Sequence, residues 1–572
     1  MKILFLYNND CAVELGESIK AMGHEVVPFK ERLTPEIALS GKFDLAVSYT
    51  YRYILTDELI DALGGNVVNI HNAYLPYNRG ADPNLWSIVE GTPRGVTLHY
   101  ISAGLDKGDI IAQRLVTEGD GDTLKSSYDN LDRNAKEMFI EAFGHYDKWD
   151  ELRHPQEGKG TYHSLKDGER IKSVITSYDM KIKDFLDALR VKLVFVSNYI
   201  NHHQIPFCEE LYRLAGGDFV FVETEKMAAE RLAMGWDGNA SELKYVIKRY
   251  EDPEAADKLI FDADCVIFGG AEDEELIIPR LEAGKFTLRY SERIYKSGRW
   301  KFVSPKGLKK KYHDHIRFKK KPVYLLCAGA YVAGDFKLIG AYPGKKFKFG
   351  YFPEVIEYGN VHFKRSENEK GLNILWAARF IDWKHPETMV FLAKELIGAG
   401  IDFKITMIGD GNELEKTKAL SNELKVSDKM EFPGSLTPDK VRDMMLSCDI
   451  FTVTSDRLEG WGAVVNEAMN SGAVVIAPRQ IGAAPYLIKD GENGFMYDKK
   501  TSYDDPAAVK QISDIIKKLA VDREWRLEIG GNAYKTVRDT WNAKVAAERL
   551  WDFINDPAKK VPDYGDGPLS RA

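Results

Sequence analysis

The chain has 572 residues, of which 44% are hydrophobic and 29% are charged. This composition is typical of a folded protein, and at about 150 residues per domain the length predicts three or four domains. The chain carries 79 Lys and Arg against 87 Asp and Glu, and its net charge of -8 does not give the positive field of a general nucleic-acid binder. We therefore expect no nucleic-acid partner.

The cysteines and the apolar runs indicate the compartment. The five cysteines lie far apart in the sequence, without a C-x-x-C pair, which argues against a disulfide framework and against a structural zinc site. The apolar run before Asn8 is too short for a signal peptide, and no stretch approaches the length of a membrane span. We expect a cytoplasmic protein, with the inner face of the membrane as a peripheral location.

Short β-branched runs alternate with longer amphipathic stretches along nearly the whole chain. This pattern is typical of strand–helix–strand units, so the predicted fold class is α/β with three doubly wound, Rossmann-like domains. The predicted domains are 1–190, 191–365 and 366–572. Ligands of such sheets bind beyond the carboxyl ends of the strands, and the loops at those ends are where reactive residues are expected.

One dense basic segment lies at 304–322, where eight Lys and Arg accompany a single Asp. Such a segment is most often a solvent-exposed face or loop. The alternative is a surface that contacts an anionic membrane or a phosphate-bearing acceptor, since each basic residue near an anionic leaflet contributes about 1 kcal/mol. The sequence leaves both interpretations open.

A first group of polar residues surrounds the carboxyl end of a predicted buried strand. Asn69 and His71 are two residues apart and therefore point to the same face of that strand, and Asp106 follows the later strand GVTLHYIS. In an acyl-transfer site, Asn69 would donate a hydrogen bond to the oxyanion and His71 would take a proton from an attacking amine. Asp106 would orient and stabilise the imidazolium. Taken singly, each residue is more often structural.

The series N-x-H, L-P-x-x-R-G, G-V-T-x-H and L-D-x-G-D-I-I closely resembles the formyltransferases that use 10-formyltetrahydrofolate, over approximately residues 1–120. The resemblance implies a catalytic trio of Asn69, His71 and Asp106, and an amine substrate near the loop 48–55. It also implies that the folate lies along the segment that contains Leu75, Pro76, Arg79 and Gly80. For Arg79, a structural role is an equal alternative.

The segment LPYNRGADPNLWSI most resembles the sequences of one branch of that family, whose members formylate amino groups of nucleotide-linked sugars. The tRNA-specific members continue into a basic barrel domain, whereas this chain continues into new α/β units. The resemblance therefore implies an amino-sugar substrate rather than tRNA.

A second group of residues lies in the run DRLEGWGAVVNEAMNSG, which follows the predicted strand DIFTVTS. Gly460 and Gly462 let the backbone approach a ligand, and the helix that begins near Ala463 favours a diphosphate at its N-terminus. Glu467 lies one or two turns into that helix, where it can accept hydrogen bonds from a ribose. Glu459 lies at the mouth of the loop, where it can engage sugar hydroxyls.

The E-x7-E spacing behind E-G-W-G strongly resembles glycosyltransferase family four, whose members are retaining enzymes of two-domain GT-B architecture. The segment WAARFIDWKHPE is similar to the first-strand loop of that family, which implies that Arg379 and Lys384 neutralise the leaving diphosphate. The resemblance also implies that the nucleotide base packs near Gly434. It is good over 370–500 and much weaker over 191–365, which is expected to be the acceptor domain. No metal is expected.

In the expected acceptor domain, the run VSNYINHHQIPFCEEL ends a strand and enters a helix. The family positions an acceptor and a histidine near the donor sugar at this place, so His202 and His203 are candidate catalytic residues. A pair of helix-entry residues without a catalytic role is an equal alternative. The glycine-rich acceptor loop that is usual in the family is not evident here.

These patterns together predict a bifunctional enzyme with a formyltransferase fold followed by a two-domain GT-B fold. It would formylate the amine of an amino sugar, nucleotide-linked or within a glycan, with 10-formyltetrahydrofolate as formyl donor. It would also transfer a sugar, with retention, from a nucleotide-sugar donor to a glycan or lipid-linked acceptor in surface-glycan biosynthesis. The alternative is a glycosyltransferase whose N-terminal domain only binds a ligand, and a third interpretation is a non-enzymatic scaffold at the membrane.

Overall fold

The computed structural model describes residues 1–102, 104–119, 121–228, 243–298, 303–361, 371–500, 505–556 and 564–572. The chain divides into two units, Met1–Arg190 and Val191–Ala572. The predicted boundary between residues 365 and 366 lies outside the described residues.

The first unit is built from short strands and from helices of varied length. Its strands are β1 Lys2–Leu6, β2 Glu25–Phe29, β3 Leu45–Tyr49, β4 Val67–His71, β5 Arg79–Gly80, β6 Gly95–Tyr100, β7 Ile110–Leu115 and β8 Tyr162–His163. Its helices are α1 Val13–Ala21, α2 Pro35–Gly41, α3 Asp57–Ala62, α4 Pro83–Glu90, α5 Leu124–Phe143, α6 Trp149–Leu152, α7 Glu169–Ser173 and α8 Ile182–Leu189.

The main sheet of the first unit has six strands in the order β2–β1–β3–β4–β6–β7, and β5 pairs with β8 in a separate two-stranded sheet. Strands β1 to β4 are parallel, whereas β6 runs antiparallel to both β4 and β7. The α/β prediction is confirmed here, with a sheet that is mixed rather than wholly parallel. Because β1, β3 and β4 are parallel, the loops that follow them meet at one edge of the sheet.

The second unit contains two further sets of strands and helices. Its strands are β9 Leu193–Ser197, β10 Phe219–Glu223, β11 Val246–Lys248, β12 Cys265–Phe268, β13 Thr287–Ser291, β14 Val323–Ala328, β15 Lys346–Phe349, β16 Leu372–Ala377, β17 Phe403–Ile408, β18 Met430–Gly434, β19 Ile450–Thr452, β20 Val474–Pro478 and β21 Phe495–Tyr497. Its helices are α9 Ile205–Leu214, α10 Pro253–Asp262, α11 Ile278–Glu282, α12 Pro305–Asp314, α13 Val332–Leu338, α14 Glu387–Gly398, α15 Leu414–Glu423, α16 Pro438–Ser447, α17 Val464–Asn470, α18 Ala484–Leu487, α19 Pro506–Val521, α20 Arg523–Asp539 and α21 Ala543–Asn555.

These strands form two parallel sheets, in the orders β11–β10–β9–β12–β13–β14–β15 and β18–β17–β16–β19–β20–β21. Their central strands are buried on both faces, in agreement with near-continuous apolar sequences such as LVFVS and VVIAP. The three Rossmann-like sheets predicted from the alternating pattern are therefore present.

The C-terminal helix α21 packs against α9. The resemblance to GT-B enzymes implies such a helix, which crosses back to the first domain, near residues 541–555. The ring of Phe553 on α21 lies 5.0 Å from the rings of both Tyr324 and Phe347. The sequence also predicts a loosely held tail after Pro557, and this prediction is wrong for residues 564–572. In that segment Leu569 is fully buried and Arg571 forms a backbone bridge with Phe347.

The basic segment 304–322 forms helix α12 and a short turn, and it is not a free loop. Its end is anchored, because Asp314 and His315 are buried. The opposite face exposes Leu308 and Tyr312. Among the described residues, no helix is long and apolar enough to cross a membrane.

Candidate active sites

The first candidate site lies where β4 and β6 pair. The carboxylate of Asp106 lies between two imidazoles, with Oδ2 at 3.7 Å from His71 Nδ1 and Oδ1 at 3.7 Å from His99 Nε2. Asn69 lies directly opposite His99 in the strand pairing and donates from Nδ2 to His99 Nε2 at 3.3 Å. The structure thus brings the predicted trio together and adds His99, which the sequence interpretation missed although it is the last residue of the G-V-T-x-H motif.

The hydrogen bonds define the proton positions on both imidazoles. Because a carbonyl oxygen only accepts, His71 donates from Nε2 to the Asn78 carbonyl at 3.1 Å, and His99 donates from Nδ1 to the Tyr100 carbonyl at 2.8 Å. A neutral His71 therefore keeps a lone pair on Nδ1, the nitrogen nearest Asp106. When that nitrogen takes a proton, the new N–H lies beside the carboxylate, whose negative charge stabilises the imidazolium.

The charge state of His99 is set by its burial. Burial lowers the pKa of His99 to about 4, and the negative charge of Asp106 offsets this effect only in part. His99 is therefore neutral near pH 7, and its Nε2 is free to accept the hydrogen bond from Asn69. Its role is to orient the amide rather than to exchange protons.

The backbone of Gly80 holds the carboxylate of Asp106. Gly80 N donates to Asp106 Oδ2 at 2.9 Å. Gly80 has a φ of +92°, and a Cβ at this position would lie 2.3 Å from the carbonyl oxygen of His163 on the paired strand β8. A side chain would therefore break both the turn and the pairing. In the structure, Gly80 therefore holds the Asp106 carboxylate in place. The folate contact that the resemblance implied for Gly80 stays a prediction.

Gln156 ties the Asp106 loop to Arg79. Its Nε2 donates to the carbonyl oxygens of Asp106 at 2.8 Å and Gly108 at 2.9 Å. Its Oε1 accepts from Arg79 Nε at 3.1 Å and from Arg79 Nη2 at 2.7 Å. All the hydrogen-bonding capacity of the amide is used. Of the two roles considered for Arg79, this geometry supports the structural one.

We expect Gln156→Ala to reduce formyl transfer about tenfold, because the Asp106 loop loses both hydrogen bonds that fix its carbonyl groups. Arg79→Ala should cause a similar loss, and the double variant should be no slower than either single variant, since both act through one contact. Folate turnover measured on the three variants checks this expectation. Additive losses would show that Arg79 acts on a ligand independently of Gln156.

The predicted folate segment is fixed at both ends by protein contacts. Leu75 is buried, its N–H donates to Thr97 Oγ1 at 3.1 Å, and its carbonyl oxygen accepts from Gln113 Nε2 at 2.8 Å. The carbonyl oxygen of Pro76 lies against Gly160, where a Cβ would come within 2.1 Å. The segment is therefore a rigid wall beside the trio.

The second candidate site is a cleft of about 680 Å³ within the second unit. Of the predicted residues, its lining includes Arg379, Lys384, Glu459, Gly462, Glu467 and His203. The size and polarity of the cleft suit a nucleotide-sized ligand.

Three predicted residues, Gly460, Gly434 and His202, are not among the residues that line this cleft. Gly460 packs against the carboxylate of Glu292, where a Cβ would come within 2.3 Å of it. Gly434 has a φ of +79° at the end of β18, with open space beside it. Its role beside a nucleotide base stays a prediction.

Lys384 and Glu459 form an ion pair that joins the two sequence motifs of this cleft. Both side chains are about one-seventh exposed, at 13% and 15%. Hydrogen bonds to backbone carbonyls hold the two loops together. Asp456 N donates to the Trp383 carbonyl at 3.0 Å, and Thr454 Oγ1 donates to the Lys384 carbonyl at 2.6 Å. The ammonium group is therefore fixed in place before any ligand binds.

Arg379 is exposed at the cleft and, within the part of the chain that the structure describes, has no ion-pair partner. Its positive charge is available to an anionic ligand. Lys384 and Arg379 thus differ, because one is held by a carboxylate and the other faces solvent.

Burial raises the pKa of Glu467 to about 7, and the positive charge of Arg442 lowers it only in part. A carboxyl whose folded pKa lies above its ordinary value of 4.5 binds a proton more tightly in the folded state. The free energy of unfolding therefore falls as the pH rises from about 4.5 to about 7.

We expect Glu467→Gln to remove that fall, because the amide carries no charge at any pH. At pH 8 the variant should be more stable than the parent chain by up to about 3 kcal/mol, and at pH 4.5 the difference should vanish. Urea unfolding followed by tryptophan fluorescence at both pH values measures this. Equal stability at pH 8 would show that the Glu467 carboxyl is well solvated.

The structure separates the two candidate histidines of the acceptor side. Their rings lie 3.8 Å apart, but only His203 is among the residues that line the cleft. Burial lowers the pKa of His203 to about 3, with smaller contributions from His202 and Arg442. His203 is therefore a neutral imidazole, able to exchange a hydrogen bond with a hydroxyl.

The cleft also contains a glycine turn that the sequence interpretation did not find. Gly269 and Gly270 follow β12 and line the cleft. Gly270 has a φ of +83°, and a Cβ there would lie 2.4 Å from Ser197 Oγ. The signal in the sequence was the pair of glycines directly after the strand CVIF.

Glu274, Asp314 and His315 have ligand-type atoms that all lie within 4.8 Å of one another. These atoms do not fit a metal ion, because protein cations already engage them. Arg289 Nη2 donates to both oxygens of Glu274 at 2.6 Å. Asp314 accepts from His313 Nδ1 at 3.0 Å and pairs with Lys310 at 3.3 Å.

Residues 29–143 match the model of the family described as formyl transferase, and residues 359–536 match that of the glycosyl transferases group 1. A formyl transferase domain and a group 1 glycosyl transferase domain are therefore joined in one chain. This confirms the two resemblances found in the sequence.

Two curated proteins show the sequence likeness of the first unit. The dTDP-4-amino-4,6-dideoxyglucose formyltransferase of Mycobacterium tuberculosis is 38% identical over 102 residues, which are 18% of this chain and 43% of the relative. The methionyl-tRNA formyltransferase of Fusobacterium nucleatum is 34% identical over 115 residues, which are 20% of this chain and 37% of the relative. The chain thus spans less than half the length of these curated relatives.

Two solved structures are similar to separate parts of the chain. The formyltransferase PseJ from Anoxybacillus kamchatkensis, in complex with UDP-4,6-dideoxy-4-formamido-L-AltNAc and tetrahydrofolate, is 35% identical, with a TM-score of 0.30 and coverage of 32% of this chain and 97% of PseJ. Anabaena Alr3699/HepE in complex with UDP is 13% identical, with a TM-score of 0.48 and coverage of 63% of this chain and 98% of HepE.

Proposed function

We propose that the first unit transfers a formyl group from 10-formyltetrahydrofolate to the amine of an amino sugar. The observation that carries the proposal is the carboxylate of Asp106 at 3.7 Å from Nδ1 of His71, whose Nε2 donates to the Asn78 carbonyl. The residues present fit this chemistry, since they provide a base, a carboxylate that stabilises the protonated base, and an amide donor. The folate supplies the electrophilic formyl carbon.

His71 Nδ1 takes the proton that the amine loses as its nitrogen bonds to the formyl carbon, and Asp106 stabilises the imidazolium. The bond between the formyl carbon and the folate nitrogen then breaks, and that nitrogen takes the proton back from His71, so that tetrahydrofolate leaves. Asn69 Nδ2 carries a second N–H besides the one that meets His99, and this second N–H donates to the oxygen that gains negative charge. The wall formed by residues 75–80 holds the formyl donor. Nucleophilic attack by a protein side chain is not required.

An amino sugar linked to a nucleotide suits the loop after β3. Tyr51 and Tyr53 meet edge to face at 5.3 Å, and Arg52 Nη2 donates to Tyr53 Oη at 2.8 Å. The loop is anchored, because Arg52 N donates to Asn8 Oδ1 at 2.9 Å. Aromatic rings and a guanidinium group are suited to a base and a diphosphate. The likeness to a formyltransferase of dTDP-4-amino-4,6-dideoxyglucose supports the same substrate class.

The test is to incubate the full-length chain with 10-formyltetrahydrofolate and a panel of dTDP- and UDP-linked amino sugars. We expect release of tetrahydrofolate with at least one of them and a product heavier by one formyl group. Binding of an amino-sugar nucleotide without any turnover would favour the alternative, in which the first unit only binds a ligand.

We further propose that the second unit transfers a sugar from a nucleotide-sugar donor to a glycan or lipid-linked acceptor, with retention. The support is the cleft that joins the pre-positioned Lys384 to Arg379. Both cations stabilise the negative charge that develops on the leaving diphosphate, and Glu459 and Glu467 accept hydrogen bonds from sugar and ribose hydroxyls. The acceptor hydroxyl attacks from the face that the diphosphate leaves, and His203 hydrogen-bonds to the acceptor.

Donor hydrolysis or transfer with a panel of UDP-, GDP- and dTDP-sugars tests this second activity. The anomeric configuration of the product, determined by NMR, should equal that of the donor. Inversion would contradict the proposed mechanism while leaving the transferase class intact. Both reactions would serve one surface-glycan pathway, with formylation of the amino sugar and its transfer carried on a single chain.

We also propose that helix α12 contacts an anionic membrane surface. Leu308 and Tyr312 are exposed on it together with Lys309 and Lys310. This combination of apolar and basic side chains suits the boundary of an anionic leaflet. Co-sedimentation with phosphatidylglycerol vesicles should fall in a Leu308→Asp variant, and unchanged co-sedimentation would contradict this contact.

A further inference from the structure

We propose that the acceptor carries an anionic group, a carboxylate or a phosphate, and that Arg289 and Lys311 bind this group at one wall of the cleft. The inference rests on the proposed sugar transfer by the second unit and adds the chemical class of its acceptor. The inference is based on these two positively charged side chains, to which the proposed donor site assigns no role.

Arg289 is a buried residue with an unused donor. It lies on β13, is 4% exposed and lines the cleft. Its Nη2 donates to Glu274, but its Nη1 is buried and has no hydrogen-bond partner in the described part of the chain. A buried guanidinium N–H without an acceptor is costly, so a ligand atom that accepts from Nη1 would bind favourably.

Lys311 contributes a second positive charge to the same wall. It lies on α12, is half-buried and lines the cleft. Among the described residues, no carboxylate lies within ion-pair distance of its ammonium group. Burial lowers the pKa of Lys311, because a positive charge is disfavoured away from water.

Glu274 and His315 link the two cations in space. Arg289 Nη2 donates to the Glu274 carboxylate, which lies within 4.8 Å of a ring nitrogen of His315, and His315 N donates to the Lys311 carbonyl at 3.0 Å. Burial holds the pKa of His315 well below its ordinary value, and the positive charges of Arg289 and Lys311 add to this effect. The imidazole is therefore neutral, and its Nδ1 shares a hydrogen bond with Tyr342 Oη at 2.8 Å. It can accept or donate a hydrogen bond without adding charge to the wall.

Among the residues that the structure describes, the local charges leave one positive charge without an ion-pair partner. Arg289 is paired with Glu274, and Asp314 is paired with Lys310 and hydrogen-bonded to His313. Lys311 remains. One unpaired charge and one free N–H group match a singly charged group with two acceptor oxygens, which is a carboxylate or a phosphodiester.

This wall belongs to the acceptor rather than to the donor. Arg289 and Lys311 come from β13 and α12 of the seven-stranded sheet, whereas Arg379 and Lys384 follow β16 of the other sheet. All four line one cleft. A leaving diphosphate neutralised by the second pair therefore leaves the first pair to an anionic group on the acceptor.

Calorimetric titration of the full-length chain tests the proposal with three probes: inorganic phosphate, glucuronate and glucose. A background that carries both Arg379→Ala and Lys384→Ala removes the two donor-side cations, so the remaining anion binding reports on the wall. We expect phosphate, glucuronate or both to bind, and glucose not to bind. Binding of phosphate alone identifies a phosphate-bearing acceptor, and binding of glucuronate alone identifies an acidic sugar.

Lys311→Gln should weaken anion binding by about tenfold or more, and Arg289→Lys, which keeps the charge but removes the free N–H, should weaken it as well. Lys306→Gln is the matched control, because Lys306 is exposed on the same helix, and it should bind anions like the parent chain. Absence of anion binding, or equal binding by Lys311→Gln and the control, would overturn the inference. A separate titration of nucleoside diphosphates into the parent chain reports on the donor site, so that a failed donor proposal and a failed acceptor inference give different results.

Discussion

His71→Ala is expected to reduce formyl transfer by about 10²–10⁴-fold, the contribution that a positioned general base makes to catalysis. Three contacts that hold the site do not depend on the imidazole: the hydrogen bond of Asn69 to His99, the bond of Gly80 N to Asp106, and the contacts of Gln156. The loss should therefore appear in kcat, since the amine keeps its place but has no acceptor for its proton.

The measurement is the rate of tetrahydrofolate release by the full-length chain with a saturating amino-sugar nucleotide. His145→Ala is the matched control, because His145 is an exposed histidine of the same unit. Sugar transfer by the same His71→Ala protein is an internal control for correct folding. Formyl transfer that survives in His71→Ala would show that another group takes the proton, and the general-base role would have to be abandoned.

The parts of this site that the sequence could predict are those in which spacing translates directly into geometry. Asn69 and His71 are two residues apart on one strand and therefore share a face. The carboxyl end of that strand is where parallel sheets bind ligands. His99 could have been found in the same way, but only once β6 was known to run antiparallel to β4, in the register that sets His99 opposite Asn69. The local sequence of β6 does not reveal its direction.

Gln156 illustrates what local sequence cannot show. It lies in a polar stretch without a motif, and its importance comes from four hydrogen bonds to residues 48 to 77 positions away. Arg289 is a similar case, since a lone Arg on a strand gives no sign that one of its nitrogen atoms is buried without a hydrogen-bond partner among the described residues. Both depend on tertiary contacts, which a linear pattern does not contain.

The resemblance to GT-B glycosyltransferases implied that two distant motifs serve one donor site, and the structure shows a direct contact between them. Lys384 and Glu459 are 75 positions apart in the sequence and form one ion pair. The strand order places β16 next to β19, which brings the loops that follow them together. A parallel sheet of this order therefore converts two separate sequence motifs into one site.

Lys384→Ala is expected to reduce sugar transfer by about 10²–10³-fold, the range measured when one preorganised charge stabiliser is removed. Two effects act in the same direction. The developing diphosphate charge loses a cation that was already in place, and the Glu459 carboxylate, only 15% exposed, loses its partner and adds repulsion. Glu459→Gln in the same background should restore part of the lost rate, because it removes that repulsion.

The initial rate of transfer from the nucleotide sugar identified in the donor panel measures this effect, with Lys394→Ala as the matched control on the exposed face of α14. Formyl transfer by Lys384→Ala should equal that of the parent chain, which separates a local loss from misfolding. Arg379→Ala should cost less than Lys384→Ala, because Arg379 faces solvent and water screens its charge. The reverse order would mean that the pair formed by Lys384 and Glu459 is structural and that the diphosphate is held by Arg379 alone.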